Sequence, residues 1–260
     1  MPLQVGIGVA TYNRCDVLAA TLEHIAQHTK YPFVSLAVSD DGSTDGTMDM
    51  LRQRGVLAVT GQNMGIAWNK NRVLFLLTEL LRCDLVILLE DDSYPGVDSW
   101  EQDWMKAALK WGHAGLAGEW MTKDFLSGTG TPDDPIRSKA VTAQCSVYSR
   151  EALLFGGYFD PRFRGYGHEH VEHSRRLVRC GYGGNEEKMP DGRWQTVFLL
   201  LRGGVQFAPA PTTFNQEQVD RNFAVAQKLF FEFHYRAPWS NEEEMQQFRS
   251  EMRNATPRVL

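Results

Sequence analysis

Two rhythms of apolar and polar residues alternate along the first third of the chain. Short apolar runs, VGIGVAT (5–11), VSLAVSD (34–40), VLAVT (56–60) and LVILLE (85–90), have the length and β-branched content of buried strands. Between them lie stretches in which apolar residues recur every three or four positions: 16–28, 46–54 and 65–81. Such stretches predict helices with one buried face. Strand, helix, strand, helix at this spacing predicts an α/β fold, a doubly wound parallel sheet with helices on both faces.

After residue 95 the rhythm loosens. Helices are expected over 100–112, 150–157 and 171–182, the last closed by Gly181, and strands over 116–120, 140–149 and from 205 to 213. SGTGTPDDP (127–135) and GGNEEKMPDGRW (183–194) read as loops, the second a candidate lid. Helical patterns over 216–235, rich in Phe, and 240–253, highly charged, close the chain. The expected organisation is one domain over 1–215, with two halves that meet at about residue 95, and a helical extension over 216–260 packed on the same domain.

A chain of 260 residues, 43% hydrophobic and 23% charged, is long enough to bury a substantial core. Its net charge of −5 argues against nucleic acid as a partner, since a phosphate-neutralising protein carries a basic surplus or stripe. No apolar run approaches the ~18 residues of a membrane span, and the first residues lack the pattern of a secretory signal, so a cytoplasmic protein is expected. Cys15, Cys83, Cys145 and Cys180 show no CxxC pairing and read as reduced thiols.

In a doubly wound sheet, ligands bind beyond the carboxyl ends of the strands. The residues there are Thr11-Tyr12-Asn13-Arg14, Asp40-Asp41-Gly42-Ser43, Gln62-Asn63-Met64-Gly65 and Glu90-Asp91-Asp92. Each group alone has a plain structural explanation, as a turn or a helix cap. Carboxylates gathered from several strand ends repel one another, however, unless a cation or a polyhydroxyl ligand joins them.

These motifs resemble, in order and spacing, those of the family 2 glycosyltransferases, which have the GT-A fold with a mixed sheet; the resemblance runs over about residues 3 to 182. The matching segments are ATYNR (10–14), DDGSTDGT (40–47), Asn63 and Gly65 ahead of Lys70-Asn71, Glu90-Asp91-Asp92, and GGYFDPRF (156–163) with Glu169-His170 downstream. The resemblance implies transfer of a sugar from a nucleotide-diphosphate donor, UDP-sugar in first place, to an acceptor hydroxyl. That acceptor is a saccharide, a lipid-linked sugar or another alcohol, with peripheral membrane contact compatible. Substrate contacts are then expected from Thr11, Tyr12, Arg14, Asn63 and Gly65. Asp40 or Asp41 suits the base N–H and a ribose hydroxyl. The resemblance places Asp91 on the ribose and Asp92 on a divalent cation, Mn2+ or Mg2+, that bridges the diphosphate. Lys70 stands where the family usually has Arg and offers a phosphate a point charge in place of a fork. Trp120, Tyr166 and Trp194 are candidates for stacking on sugar rings.

Two other uses of such a fold fit less well. A sugar nucleotidyltransferase needs a Gly-rich loop after the first strand, where this chain has TYNR. The glycines of GIG (6–8) lie inside the strand, not at a dinucleotide turn. A non-catalytic nucleotide-sugar binding protein remains the competing class.

The segment GYGHEHVEHSRRL (165–177) has histidines at the wrong spacing for a helical zinc motif. It resembles the Gly-Trp-Gly-Gly-Glu-Asp stretch of β-1,4-galactosyltransferases, with Glu169 at the Glu and His170 in place of the catalytic Asp. Two readings stand: His170 is the general base and Glu169 orients the acceptor, or a histidine, His168 or His170, binds the metal and Glu169 is the base. Helical projection at ~100° per residue turns His170 inward and Glu172, Arg175, Arg176 and Arg179 outward, and leaves His173 to pair with Glu169 at i,i+4.

Overall fold

The computed structural model describes residues 2–208, 215–232 and 234–256. The first half follows the expected alternation: β1 (Val5–Thr11), α1 (Cys15–His28), β2 (Val34–Asp40), α2 (Thr47–Gln53), β3 (Leu57–Thr60), α3 (Ile66–Phe75) and β4 (Leu85–Glu90). The second half runs β5 (Ser93–Pro95), α4 (Glu101–Trp111), β6 (His113–Leu116), β7 (Phe125–Ser127), β8 (Ile136–Ser138), β9 (Cys145–Ser149), α5 (Arg150–Gly156), α6 (Glu169–Arg179), β10 (Gly184–Lys188), β11 (Trp194–Leu201) and β12 (Val205–Phe207). Helices α7 (Gln216–Leu229) and α8 (Glu242–Arg253) follow.

Among the described residues, ten strands form one mixed sheet in the order β3-β2-β1-β4-β9-β6-β11-β8-β7, with β10 on the exposed part of β11. Strands β3, β2, β1 and β4 are parallel, and β9 runs antiparallel between β4 and β6. Thr11, Asp40 and Glu90 therefore end at the same edge of the sheet. β12 and β5 make a separate ribbon that pairs Phe207 with Ser93, next to Asp92.

The alternation within β1 explains its glycines. Val5, Ile7 and Val9 face a core with α1 and α4, whereas Gly6 and Gly8 face α3 and the π-turn after it (Leu76–Leu80). A Cβ on Gly8 would sit 2.9 Å from Val73, so these glycines let the helix approach the strand. The opposite core holds Trp68, Val73, Leu77, Phe159, Leu177 and Phe248, with α8 supplying the last. Each such large side chain contributes about 1.5–3 kcal/mol by leaving water.

Several expectations need correction. Residues 116–120 are not a strand: β6 ends at Leu116 and a 3₁₀ turn runs from Glu119 to Asp124. The proposed lid over 183–194 is a β-hairpin, β10 on β11, because GNEEK and WQTVF present complementary alternating faces. The loop over 127–135 lies against α4, tied by Lys110 to Asp133 and by the Trp111 indole to the Pro132 carbonyl. Of the strand expected over 205–213, Val205–Phe207 forms, and 209–213 lie outside the described residues. The outward projection of α6 also fails. Glu172 and Arg176 are buried and paired, and Arg176 caps the carbonyls of Gly156 and Tyr158. His173 is fully buried against Phe159 and its Nε2 donates to the Gly157 carbonyl at 2.9 Å; no bond joins it to Glu169. The reason is that α6 is covered on two sides, by β10 and β11 and by α5 and α7, which a single-face projection does not foresee. No described helix is long and apolar enough to cross a membrane.

Candidate active site

The site is built on the carboxyl ends of β1 and β4. Thr11, the last residue of β1, donates its hydroxyl to Asp91 at 2.8 Å, and the Thr21 hydroxyl of α1 donates to the Asp91 carbonyl. The Arg14 guanidinium lies 3.0 Å from both Asp91 and Asp92. Burial dominates the Asp91 carboxyl, opposed by Arg14 and Thr11, and with the Asp92 charge it pushes the group up to about 6. Burial and the neighbouring Glu90 charge likewise raise Asp92, which stays one-fifth exposed.

Asp40 and Asp41 play a different local part. The Asp40 carboxylate accepts from the amides of Gly42 and Ser43 and from the Thr60 hydroxyl, which shapes the turn after β2. Asp41 accepts from the amides of Met64 and Gly65 and from Arg72, and so holds the 62–65 loop. Both are buried with these lone pairs engaged, which is the turn-forming explanation of the motif. Arg72, also fully buried, is gripped on its other side by Glu251 of α8, which accepts from the Trp68 indole too. Gly65 needs its glycine twice over: its φ is +92°, and a Cβ would lie 2.3 Å from the Gly165 amide nitrogen. Ile66 N–H donates to the Gly165 carbonyl at 3.1 Å, so the loop before α3 and the loop before α6 touch backbone to backbone.

That contact delivers α6 to the acidic edge. Lys70, without solvent exposure, donates to Glu90 at 2.8 Å and to the Ala143 carbonyl at 3.2 Å. Burial alone would favour its neutral amine, but the charges of Glu90 and Glu169 outweigh this and raise its pKa. A phosphate would therefore meet this lysine only across Glu90. Glu169, 1% exposed, accepts from the Gly167 amide at 3.1 Å and lies 3.3 Å from His170 Nδ1. Burial would raise its carboxyl. The His170 hydrogen bond and the charges of His170 and Lys70 overcome that and hold it at about 2. Burial and the charges of Glu90 and Glu169 raise the pKa of the Tyr166 hydroxyl, which is thus within electrostatic reach of the same cluster. Glu169 is thus a buried anion at neutral pH, held beside His170 Nδ1.

A family model described as glycosyl transferase family 2 matches residues 7–153. The chain belongs to this family. No curated protein sequence gives a significant match. Among solved structures, the mannosyltransferase PcManGT from Pyrobaculum calidifontis, in complex with GDP-Man and Mn2+, is 18% identical, with a TM-score of 0.53 over 70% of this chain and 54% of that one. GalNAc-T7, with UDP, GalNAc and Mn2+, is 12% identical, with a TM-score of 0.60 over 89% of this chain and 49% of that one. TarS of S. aureus is 15% identical, with a TM-score of 0.50 over 67% of this chain and 33% of that one. These likenesses establish the GT-A fold. The chain spans about half the length of the first two structures and a third of the third.

Within this family 2 domain, the fold gathers Thr11, Arg14, Lys70, Glu90, Asp91, Asp92, Tyr166, Glu169 and His170 into one neighbourhood. Tyr12 and Asn63 are exposed on its rim loops. Trp120 is 56% exposed and meets Phe207 edge to face at 5.1 Å, beside the Asp92 strand end. Trp194 is excluded. It opens β11, whose other end, Leu201, is level with Leu116, so seven residues at ~3.3 Å each put it roughly 20 Å from the acidic edge. Among the described residues no three His, Cys, Asp or Glu side chains converge as a metal cluster, so His170 and Asp92 do not form a preassembled cage. A cleft of about 840 Å3 opens at the opposite edge of the sheet, lined by Asp84, Trp111 and Tyr182, and holds none of these groups. Sequence reasoning missed Thr21, Arg72 and Glu251, whose roles depend on contacts across up to 183 residues. A buried-charge signal existed for Arg72 in its place on the inner face of a helix.

Proposed function

We propose that this domain transfers a sugar from a nucleotide-diphosphate donor to an acceptor hydroxyl by a single inverting displacement. The observation that carries the reading is the meeting of the Glu90–Asp92 strand end with the Glu169–His170 helix start, with Lys70 between them. Two carboxylates that stay about one-fifth exposed, Glu90 and Asp92, would offer hard oxygen ligands to a divalent cation. Asp92 would hold Mn2+ or Mg2+, and the ion, when bound, supplies neutralising charge to the leaving diphosphate. Arg14 is placed to pass from the carboxylates to a phosphate oxygen as that charge enters. Asp91 and Tyr12 fit the ribose and base side of the donor. His170, its Nδ1 directed at Glu169, turns its Nε2 to the acceptor and takes the hydroxyl proton, as imidazole does near neutral pH.

Release of nucleoside diphosphate from a panel of UDP- and GDP-sugars with Mn2+ tests the reading. Tight, metal-dependent donor binding without turnover of any donor would make the domain a binding protein instead. Asp92→Asn is expected to weaken metal-dependent donor binding about a hundredfold, read by calorimetry with and without Mn2+. A carboxyl raised to about 6 is neutral below that pH, so the donor KM is expected to climb as pH falls through about 6. Asp91→Asn should flatten that limb; a limb of unchanged slope in the variant would assign it to another group.

A further inference from the structure

Helix α7 lies outside the segment matched by the family model, yet it builds part of the wall next to His170. The Gln218 side chain accepts from the Tyr166 amide at 3.2 Å, and the Asn222 amide donates to the carbonyls of Arg164 and Tyr166 at 3.0 Å each. These bonds fix the 164–168 loop on the helix. His168 is held there at φ +67°, a conformation uncommon for a residue with a Cβ and one that clusters at ligand sites. Its ring meets Phe223 of α7 at 5.3 Å between centroids, tilted by 51°. Phe223 is 50% exposed, whereas Asn222 and Leu229 on the inner side of the same helix are buried. The Phe-rich helix therefore does not spend this ring on the core, as packing alone would have it do. Tyr166, 47% exposed, stands two residues before His168 on the same loop.

Building on the transferase reading, we propose that Phe223 and His168 form the acceptor platform of this domain and that it takes the apolar face of a pyranose ring. A pyranose presents C–H bonds on its faces and hydroxyls around its edge, which matches an open aromatic face rimmed by imidazole, phenol and amide groups. The platform is two residues from His170, so a ring stacked on it brings an edge hydroxyl to the base. A lipid tail would want a continuous apolar stripe, but exposed Gln227 and Lys228 separate Phe223 on α7 from Phe231 in the turn after it. Acceptor choice is thus set by an element outside the family-matched segment.

The test uses methyl pyranosides of glucose, galactose, mannose and N-acetylglucosamine as probes. With a productive donor, Phe223→Ala should raise the acceptor KM about tenfold and change kcat less than threefold, and Phe223→Trp should restore it. Phe231→Ala, at a ring 78% exposed just beyond the end of α7, is the control and should leave the KM unchanged. Saturation-transfer NMR with the same pyranosides reads the platform without turnover, so it separates this inference from failure of the transferase reading. Equal transfer to wild type and Phe223→Ala overturns the proposal, as does an equal effect of Phe231→Ala. A KM response confined to alkyl alcohols, with none for pyranosides, would replace the sugar by a lipid and overturn it too.

Discussion

Replacing His170 by alanine is expected to lower kcat by about a hundred- to ten-thousandfold, the range spanned by loss of a positioned general base. The imidazole near the acidic edge is about one-quarter exposed and has its Nδ1 held by a buried anion. Glu169 has no second task that would mask the result: it is 1% exposed and held at about 2, so it carries charge and no transferable proton at neutral pH. Glu169→Gln keeps the acceptor for the Gly167 amide but removes the negative charge beside His170 Nδ1. Its effect on kcat should be smaller, about ten- to hundredfold. His170→Asp should recover part of the rate, since a carboxylate at this position can accept the same proton. The measurement is kcat at saturating donor and acceptor; a value for His170→Ala within threefold of wild type would remove the residue from the chemistry.

The largest stability effect is expected far from the chemistry, at Glu251. Its carboxylate pairs with Arg72 at 3.0 Å and accepts from Trp68, and Arg72 has no exposure to water. Removing one partner of a buried pair leaves an uncompensated charge, and Glu251→Ala is expected to cost about 3–5 kcal/mol. Urea unfolding reads the loss as a fall in midpoint at an unchanged slope. A paired change, Arg72→Met with Glu251→Leu, should recover most of it, because two apolar groups replace the pair without an orphan charge. That variant would still lose the Arg72 bond to Asp41, so donor binding at the 62–65 loop should stay weak while stability returns. A cost below 1 kcal/mol for Glu251→Ala would show that water reaches Arg72.

The parallel half of the sheet was legible because its strands are buried on both faces and its helices on one, so periodicity alone separates them. The acidic residues at the strand ends and the Glu169-His170 pair could be found from motif order. What periodicity could not supply was partnership over distance. Asp41 reads the same in sequence whether it faces a ligand or Arg72, and the answer came from α8, some 210 residues away. Helix α6 misled for a related reason: Arg176 and Glu172 look like a solvated face, but they satisfy each other and two loop carbonyls inside the fold. The hairpin over β10 and β11 was hidden by its polar, Gly- and Pro-rich turn, which resembles any loop until its register is known.

The backbone contact between Gly65 and Gly165 ties the loop before α3 to the loop before α6, which the proposed function gives to donor and acceptor respectively. A nucleotide that displaced residues 62–65 would strain the Ile66–Gly165 hydrogen bond and press on the loop that leads into α6. On that reading, thermodynamic reciprocity requires that any coupling through this contact by which one substrate tightens the grip on the other works equally in reverse.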